Sequence, residues 1–391
     1  MRLPATLLAL GFVSFTGSPA FGGWAWNSDG TLELRSGYDG NLRLNEIDLI
    51  DTPLYRARTS WAFDATNAKT TFGLVANATQ VEYPGLDADV DTDFGAVGNW
   101  RYSAETWFVN ASIGRQRVNT LANAIEDTGL PDNTVQRDAD TRSLGATWQL
   151  TELAAVALRT SMQDVRYIDD SNFSDFKFET YSGEFSWQSS QQMTWIFTAD
   201  TTEFDTDNNI SQSSTLGASV GFRRQHSETL ESSVSVGRNW IDTESRVFFG
   251  PFFFIDESSS ADFRLDAELR KRWLTNDLTF TAGQQVQPAG NGILTTRRYW
   301  SASWRHRFSE RLSLRLATLH RDFDEVNSTG VRENDRTAAR YSAALDLLWS
   351  PSWSWRFEAS HRTQAFDLRA DEARGDSVYL SLTYRFHQEN S

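Results

Sequence analysis

The chain has 391 residues, a formal net charge of −15 at pH 7 and no cysteine. The lack of cysteine excludes disulfides, a lipid-attachment cysteine and a c-type haem site, and the negative charge, with no basic patch interleaved with aromatic residues, argues against nucleic acid as a partner. Hydrophobic residues make up only 39% of the chain although 15 residues are tryptophan, which suits a soluble protein or a barrel in which every second strand residue meets lipid.

The N-terminus has the pattern of a secretory signal peptide. Arg2 is followed by an apolar stretch from Leu3 to Phe15 and then by Ala20-Phe21-Gly22, a small-x-small cleavage site. A single membrane anchor is the alternative, but the apolar run is short and is broken by Gly, Ser, Thr and Pro. We therefore predict a signal peptide over 1–22 and one domain over 23–391.

After the signal peptide, strand patterns of the length that a tilted membrane strand needs follow one another along the chain. We count about eighteen, and sixteen remain possible because 31–45 and 70–83 alternate poorly. The clearest strand runs from Ala261 to Arg270, where apolar and charged residues alternate with a period of two and so separate onto two faces. Short connections alternate with long ones, and the long ones include 118–137 and 242–258.

This organisation predicts an all-β transmembrane fold, an antiparallel up-and-down β-barrel with lipid outside and water inside. Tryptophans lie near the short connections, for example Trp100 with Trp107 and Trp187 with Trp195, which is typical of an interfacial belt. A soluble propeller is the main alternative, because paired strands return about every forty residues. A blade packs four strands into that length, however, and this chain offers two long ones. The predicted location is the outer membrane of a Gram-negative bacterium.

The polar face of each strand is predicted to line the lumen, and arginine is frequent on it. Arginine keeps its charge and offers a planar donor fork that suits anions. An arginine-lined path for an anionic solute and a network of ion pairs that braces a narrow lumen both fit this pattern, and the sequence leaves the choice open. The predicted lumen-facing residues are Arg56, Arg58, Arg101, Arg159, Gln163, Asp262, Arg264, Asp266, Glu268, Arg270, Arg305, Arg307, Arg315, Arg340, Asp346, Arg356, Glu358, Arg362 and Arg385.

Two connections differ from the acidic loops around them. The segment 118–137 is only moderately polar, so it could fold inward as a constriction. The segment 247–255 carries five phenylalanines around Gly250-Pro251 and is too apolar to stand bare in water. It is expected to be a hairpin tip packed on a neighbour, an inward plug or a contact for an outside partner.

No catalytic or metal-binding pattern accompanies the barrel pattern. The five histidines lie in turns, near the rims or in the tail, and no serine stands in a glycine-flanked elbow. An HExxH motif, nucleotide loops and His/Cys metal spacings are also missing from the sequence. We predict no enzyme, no cofactor and no metal site, with a membrane hydrolase as the least favoured function.

The two ends of the barrel sequence carry a family resemblance. Leu380, Leu382, Tyr384 and Phe386 are similar to the C-terminal signal that the barrel assembly machinery reads in bacterial outer-membrane barrels, although five residues follow Phe386. Near the start, the segment 36–42 with Leu54-Tyr55 after it resembles the first hairpin of the β-barrel porin 2 family. That resemblance implies a channel or accessory barrel of an exopolysaccharide export system.

The first functional hypothesis is a porin-like channel with a charged, arginine-bearing lumen. Such a channel would passively pass hydrophilic or anionic solutes or a secreted exopolysaccharide. The alternative is a non-conducting structural or adhesion barrel whose loops bind a surface partner. Expected partners are outer-membrane lipid and lipopolysaccharide, the barrel assembly machinery, and a polysaccharide or small anionic solute, and the sequence indicates no oligomeric state.

Overall fold

A computed structural model describes residues 23–42, 44, 50–84, 91–119, 135–168, 173–207, 211–249, 252–288, 294–326, 335–368 and 371–390. These residues form eighteen β-strands. In chain order the strands are β1 (Ala25–Asp39), β2 (Thr52–Thr66), β3 (Thr70–Glu82), β4 (Asp91–Ser103), β5 (Trp107–Asn119), β6 (Gln136–Thr151), β7 (Ala154–Ile168), β8 (Phe176–Ser190), β9 (Met193–Thr206), β10 (Ser211–Ser227), β11 (Leu230–Phe249), β12 (Phe252–Arg272), β13 (Asn276–Pro288), β14 (Leu294–Arg307), β15 (Leu312–Glu325), β16 (Arg336–Leu348), β17 (Trp353–Phe366) and β18 (Glu372–Asn390). No helix among the described residues is long and apolar enough to cross a membrane.

The strands close into one antiparallel barrel. Each strand pairs with its neighbours in the chain, and β1 also pairs with β18, from Trp26↔Asn390 to Asp39↔Ser377. Closure removes the free edges that an open sheet would present. The predicted all-β, up-and-down barrel of eighteen antiparallel strands is confirmed.

The two rims of the barrel differ in the connections they carry. At the rim that we call the short-turn rim, two to four residues join the strands, as between Thr151 and Ala154. At the opposite rim, the long-loop rim, most connections are longer. The predicted long connection over 242–258 is wrong, because β11 and β12 continue as paired strands to Phe249↔Phe252. Aromatic and β-branched side chains in this region favour the strand conformation.

Residues 247–249 and 252–255 of the apolar segment are thus the paired ends of β11 and β12, and residues 250 and 251 lie outside the described residues. Phe254 and Ile255 are exposed, at 53% and 51% of their surface, so neither side chain is buried against a neighbouring strand or loop. The second predicted constriction lies over 118–137, where β5 ends at Asn119 and β6 begins at Gln136. Most of that segment, 120–134, lies outside the described residues.

Alternation along the strands separates an apolar exterior from a polar interior. On β18, Val378 and Leu380 are exposed at 45% and 48%, whereas Ser377 and Ser381 beside them are buried. In register, Val378 lies beside Tyr38 of β1, which is 50% exposed, so the exposed apolar residues of adjacent strands continue one another. Such a belt of apolar side chains around a closed barrel is typical of a lipid-facing surface.

The β1–β18 seam depends on a glycine beneath an aromatic ring. Phe386, which belongs to the predicted assembly signal, lies opposite Gly30, and a Cβ built on Gly30 would come within 1.7 Å of its ring. We expect Gly30→Val to lower the free energy of unfolding by about 1–3 kcal/mol, the usual cost of overpacking. Urea unfolding in detergent measures this loss.

A control for the Gly30 prediction stands elsewhere in the barrel wall. A Cβ on Gly183 would lie 3.6 Å from Leu158 Cδ2, an ordinary van der Waals distance. Gly183→Ala should therefore keep the urea midpoint of the unmodified protein. If Gly30→Val also keeps it, the close approach of Phe386 does not constrain the seam.

Burial is concentrated in the half of the lumen next to the long-loop rim. Among the described residues, every buried apolar side chain larger than alanine lies in this outer half. The largest fully buried apolar side chains are Phe204, Leu44, Ile241 and Val165. The half of the lumen beside the short-turn rim is lined by polar side chains and contains the site described next.

Candidate functional site

A recess in the lumen wall beside the short-turn rim is lined by arginines. Its wall is built by β1, β2 and β14 to β18, whose alternation turns their polar residues inward, and its volume is about 480 Å³. We call it the basic recess. Its charged lining residues are Arg58, Arg305, Arg307, Arg311, Arg356, Arg385, Glu33, Glu310 and Asp346.

Two of the three acidic residues in the basic recess are already neutralised. Arg56 Nη2 donates to Glu33 Oε1 at 2.6 Å, and Arg356 Nε donates to Asp346 Oδ1 at 2.6 Å. Four arginines of the recess form no ion pair within the described part of the chain, namely Arg58, Arg305, Arg311 and Arg385. The recess therefore carries an excess of positive charge that faces water.

The register of β14 and β15 adds a second sign of excess positive charge. Arg305 stands directly opposite Arg315, and like charges in such cross-strand positions destabilise a sheet. Arg307 is the partial exception in this wall, because its Nη2 lies 3.7 Å from Asp277 Oδ2. An anion in the lumen would relieve the repulsion between Arg305 and Arg315.

Farther from the short-turn rim, ion pairs brace the same wall. Glu358 accepts a hydrogen bond from Arg340 at 3.3 Å and lies 3.7 Å from Arg35 Nη2. Arg35 Nε also donates to Ser381 Oγ at 2.9 Å. The two interpretations of the arginine set thus fit different levels of the lumen: ion pairing fits this level, and a path for anions fits the basic recess.

A buried cluster ties the closing strands together near the long-loop rim. Asp39 is only 3% exposed and accepts hydrogen bonds from Arg362 of β17 and from the Tyr379 hydroxyl of β18. The ring of Tyr379 can reach Asp39 because Gly37 leaves space, since a Cβ there would lie 2.5 Å from Tyr379 Cδ1. Alternation predicts Arg362 as a lumen residue, but it does not mark Asp39 and Tyr379 as its partners in a cluster.

Charged residues on the inner face of β12 pair with one another and with a carboxylate of β9. Arg264 contacts Asp200 of β9 and lies 3.8 Å from Asp266 Oδ2. Arg270 and Glu268 form a pair at 3.3 Å. Arg264, Asp200 and Asp266 line a second cavity of about 240 Å³, in which the two carboxylates outnumber the guanidinium. Arg264 and Arg270 therefore add no unpaired positive charge to the lumen.

An apolar cluster lies against the inner wall beyond this second cavity. It consists of Ala139, Val165, Phe176, Phe204, Ile241 and Leu294. Val286 and Val326 pack against the cluster and are partly buried. Because an apolar surface holds no ion or polar solute, this cluster restricts the polar part of the cross-section in the outer half of the lumen.

One serine–histidine contact bears on the hydrolase hypothesis. His226 Nε2 lies 2.8 Å from Ser232 Oγ at the exposed short-turn rim. No carboxylate or amide bonds the other ring nitrogen of His226 among the described residues. A triad needs such a group to orient the imidazole, so this pair lacks the third member. The described residues also hold no group of three or more potential metal ligands.

Comparison with known proteins identifies the fold and no closer relationship. No family profile matches the chain, and no curated protein matches it, so the resemblance to the β-barrel porin 2 family has no support beyond the residues that suggested it. Solved structures, in contrast, match over nearly the whole barrel.

Two of these structures come from Pseudomonas aeruginosa. The crystal structure of OpdK with vanillate is 11% identical, covers 93% of this chain and 99% of that chain, and has a TM-score of 0.50. The crystal structure of OccK9 (OpdG) is 11% identical, covers 92% and 98%, and also has a TM-score of 0.50. The eighteen-stranded barrel described above is thus the fold of outer-membrane porins.

Proposed function

We propose that this chain is a channel of the outer membrane of a Gram-negative bacterium and that it passes small anionic solutes down their gradient. The short-turn rim faces the periplasm in this proposal, and the long-loop rim faces outward. The shared fold and the apolar exterior belt support the location. The basic recess, with four arginines that form no ion pair with a carboxylate in the described part of the chain, is the observation that carries the choice of anions.

The proposed mechanism is passive and electrostatic. Positive side chains in a water-filled recess with protein walls raise the local concentration of anions and lower that of cations. The guanidinium groups of Arg305 and Arg385 also offer paired donors that match a carboxylate, sulfate or phosphate. Because the recess lies at the inner mouth, an anion that reaches it stands next to the periplasm.

The polysaccharide path implied by the family resemblance gains no support from these observations. A long carbohydrate chain needs polar groups along its whole route, whereas the apolar cluster occupies part of the inner wall in the outer half of the lumen. A small anion needs only a narrow polar strip beside that cluster. Neither of the two solved structures described above is named for polysaccharide export.

Solute permeation into liposomes tests the proposed function. Lactate and its neutral amide are nearly equal in size, so a difference in their rates reports on charge. We expect lactate to enter faster than the amide through the refolded barrel and the difference to shrink at high salt, where exposed charges are screened. Equal rates in a correctly folded barrel, or faster entry of the amide, would contradict an anion channel.

A further inference from the structure

The paired region between β12 and β13 is shorter than either of the two strands. Its register runs only from Arg272↔Asp277 to Leu265↔Gln284. Beyond that point β12 continues with β11 to Phe252, and β13 continues with β14 to the pair Pro288↔Leu294. In the described structure, β12 residues 252–264 therefore have a strand partner on one side only.

Side-chain contacts locate the described outer parts of β13 and β14 relative to β12. Asp262 belongs to the inward face of β12, and it accepts hydrogen bonds from Gln284 Nε2 and Thr296 Oγ1, both at 2.6 Å. By alternation, Gln284 and Thr296 belong to the outward face of their strands, because Gln284 follows Ala282 and Thr296 precedes Arg298 and the exposed Trp300. The outward face of one hairpin thus packs on the inward face of its neighbour.

The apolar contacts repeat this arrangement. Val286 and Leu294 have the same outward phase as Gln284 and Thr296, yet they pack in the apolar cluster with Ile241, an inward residue of β11. Leu294 is only 4% exposed. Residues 284–288 of β13 and 294–298 of β14, which we call the inner flap, therefore lie inside the barrel wall, behind β12.

We infer that the inner flap is a gate and that the unpaired edge of β12 is the position it takes when the gate opens. In the observed arrangement the inner flap narrows the outer half of the lumen. If the β12–β13 register continued past its last pair, Leu265↔Gln284, Val286 would stand opposite Phe263 and Gln287 opposite Asp262. The inner flap would then complete the wall and leave the lumen.

Each of the two positions of the inner flap makes contacts that the other position lacks. The inward position buries Leu294, partly buries Val286 and bonds Asp262, but among the described residues it leaves backbone groups of β12 and β13 without ladder partners. The outward position supplies those ladder bonds but turns Leu294 and Val286 to the exterior. One position gains apolar burial and the other gains backbone hydrogen bonds. A bistable element requires two such alternative packings. The inference rests on the proposed channel function, because a gate matters only where solute passes.

Cysteine pairs can fix either position, since the chain has no cysteine of its own. Asp262→Cys with Thr296→Cys links side chains that touch in the inward position. Phe263→Cys with Val286→Cys can meet only in the outward position. Thr281→Cys with Ser301→Cys joins β13 to β14 inside their regular ladder, where the two hydroxyl oxygens lie 2.7 Å apart, and serves as the matched control.

Single-channel recording in planar bilayers, with and without reductant, tests the gate. We expect oxidation of the 262/296 pair to lower the open probability at least about tenfold relative to the reduced protein, and oxidation of the 263/286 pair to raise it by a similar factor. The control pair should respond to neither treatment. An open probability that is unchanged by oxidation of the 262/296 pair would overturn the gate while leaving the channel intact. Silence of every variant, reduced and oxidised, in folded barrels would overturn the channel function itself.

Discussion

Replacement of Arg305, Arg311 and Arg385 by glutamine is expected to remove most of the preference of the channel for anions. None of the three forms an ion pair within the described structure, so the substitutions leave no carboxylate without its partner. A unit charge about 8 Å from an ion in water contributes about 0.5 kcal/mol, so three charges together change the partition of anions by about tenfold at low salt.

The chloride/potassium permeability ratio measures this change. A control with the same loss of charge is the triple variant Arg142→Gln, Arg224→Gln and Arg238→Gln, whose side chains share the exterior register with residues such as Ile113 and Phe263. We expect the control to keep the ratio of the unmodified protein. If the two triple variants change the ratio equally, overall charge and not the basic recess sets the selectivity.

Loss of Asp39 is expected to destabilise the barrel more than any other single loss of a charge considered above. Asp39→Ala leaves Arg362, whose side chain is only 15% exposed, without its carboxylate and removes the acceptor of the Tyr379 hydroxyl. Removal of one partner from a buried ion pair costs about 3–5 kcal/mol. The effect should appear in the free energy of urea unfolding, since the cluster joins β1, β17 and β18 where the barrel closes.

Two further variants separate the buried pair from ordinary surface charge. Glu372 and Arg374 form an exposed pair at 2.8 Å on β18, and Glu372→Gln should cost less than about 1 kcal/mol, as surface pairs do. Asp39→Ala combined with Arg362→Met removes both buried charges and should recover part of the lost stability. An Asp39→Ala barrel as stable as Glu372→Gln would show that the cluster does not hold the seam.

The sequence was sufficient for the barrel because its signal is repeated and periodic. The alternation from Ala261 to Arg270 fixes which side chains point inward, and the structure places the same polar set on the inner face of β12. Alternation was not sufficient at the tip of β11 and β12, where consecutive aromatic residues conceal the period of two. A run of phenylalanines puts apolar side chains on both faces of a strand and shows no period of two. The sequence pattern therefore does not distinguish such a strand from an apolar loop.

The basic recess was only partly predictable for a similar reason. Arg305, Arg307 and Arg356 follow from alternation on their strands, but Arg311 stands in the β14–β15 turn, where no period applies. The inner flap was not predictable at all. Leu294 has the phase of a lipid-facing residue, and only tertiary observations, namely its burial in the apolar cluster and the early end of the β12–β13 register, place it inside. Register between strands is a tertiary property that one strand's sequence does not encode.

The sign of the reversal potential of the unmodified protein, measured in a planar bilayer across a KCl gradient at low salt, tests the central claim most directly. The whole chain carries a net charge of −15, so selectivity set by overall charge would favour potassium. Selectivity set by the basic recess would favour chloride, and we expect the chloride-selective sign. A reversal potential of the cation-selective sign, from a correctly folded barrel with stable conductance, would contradict it.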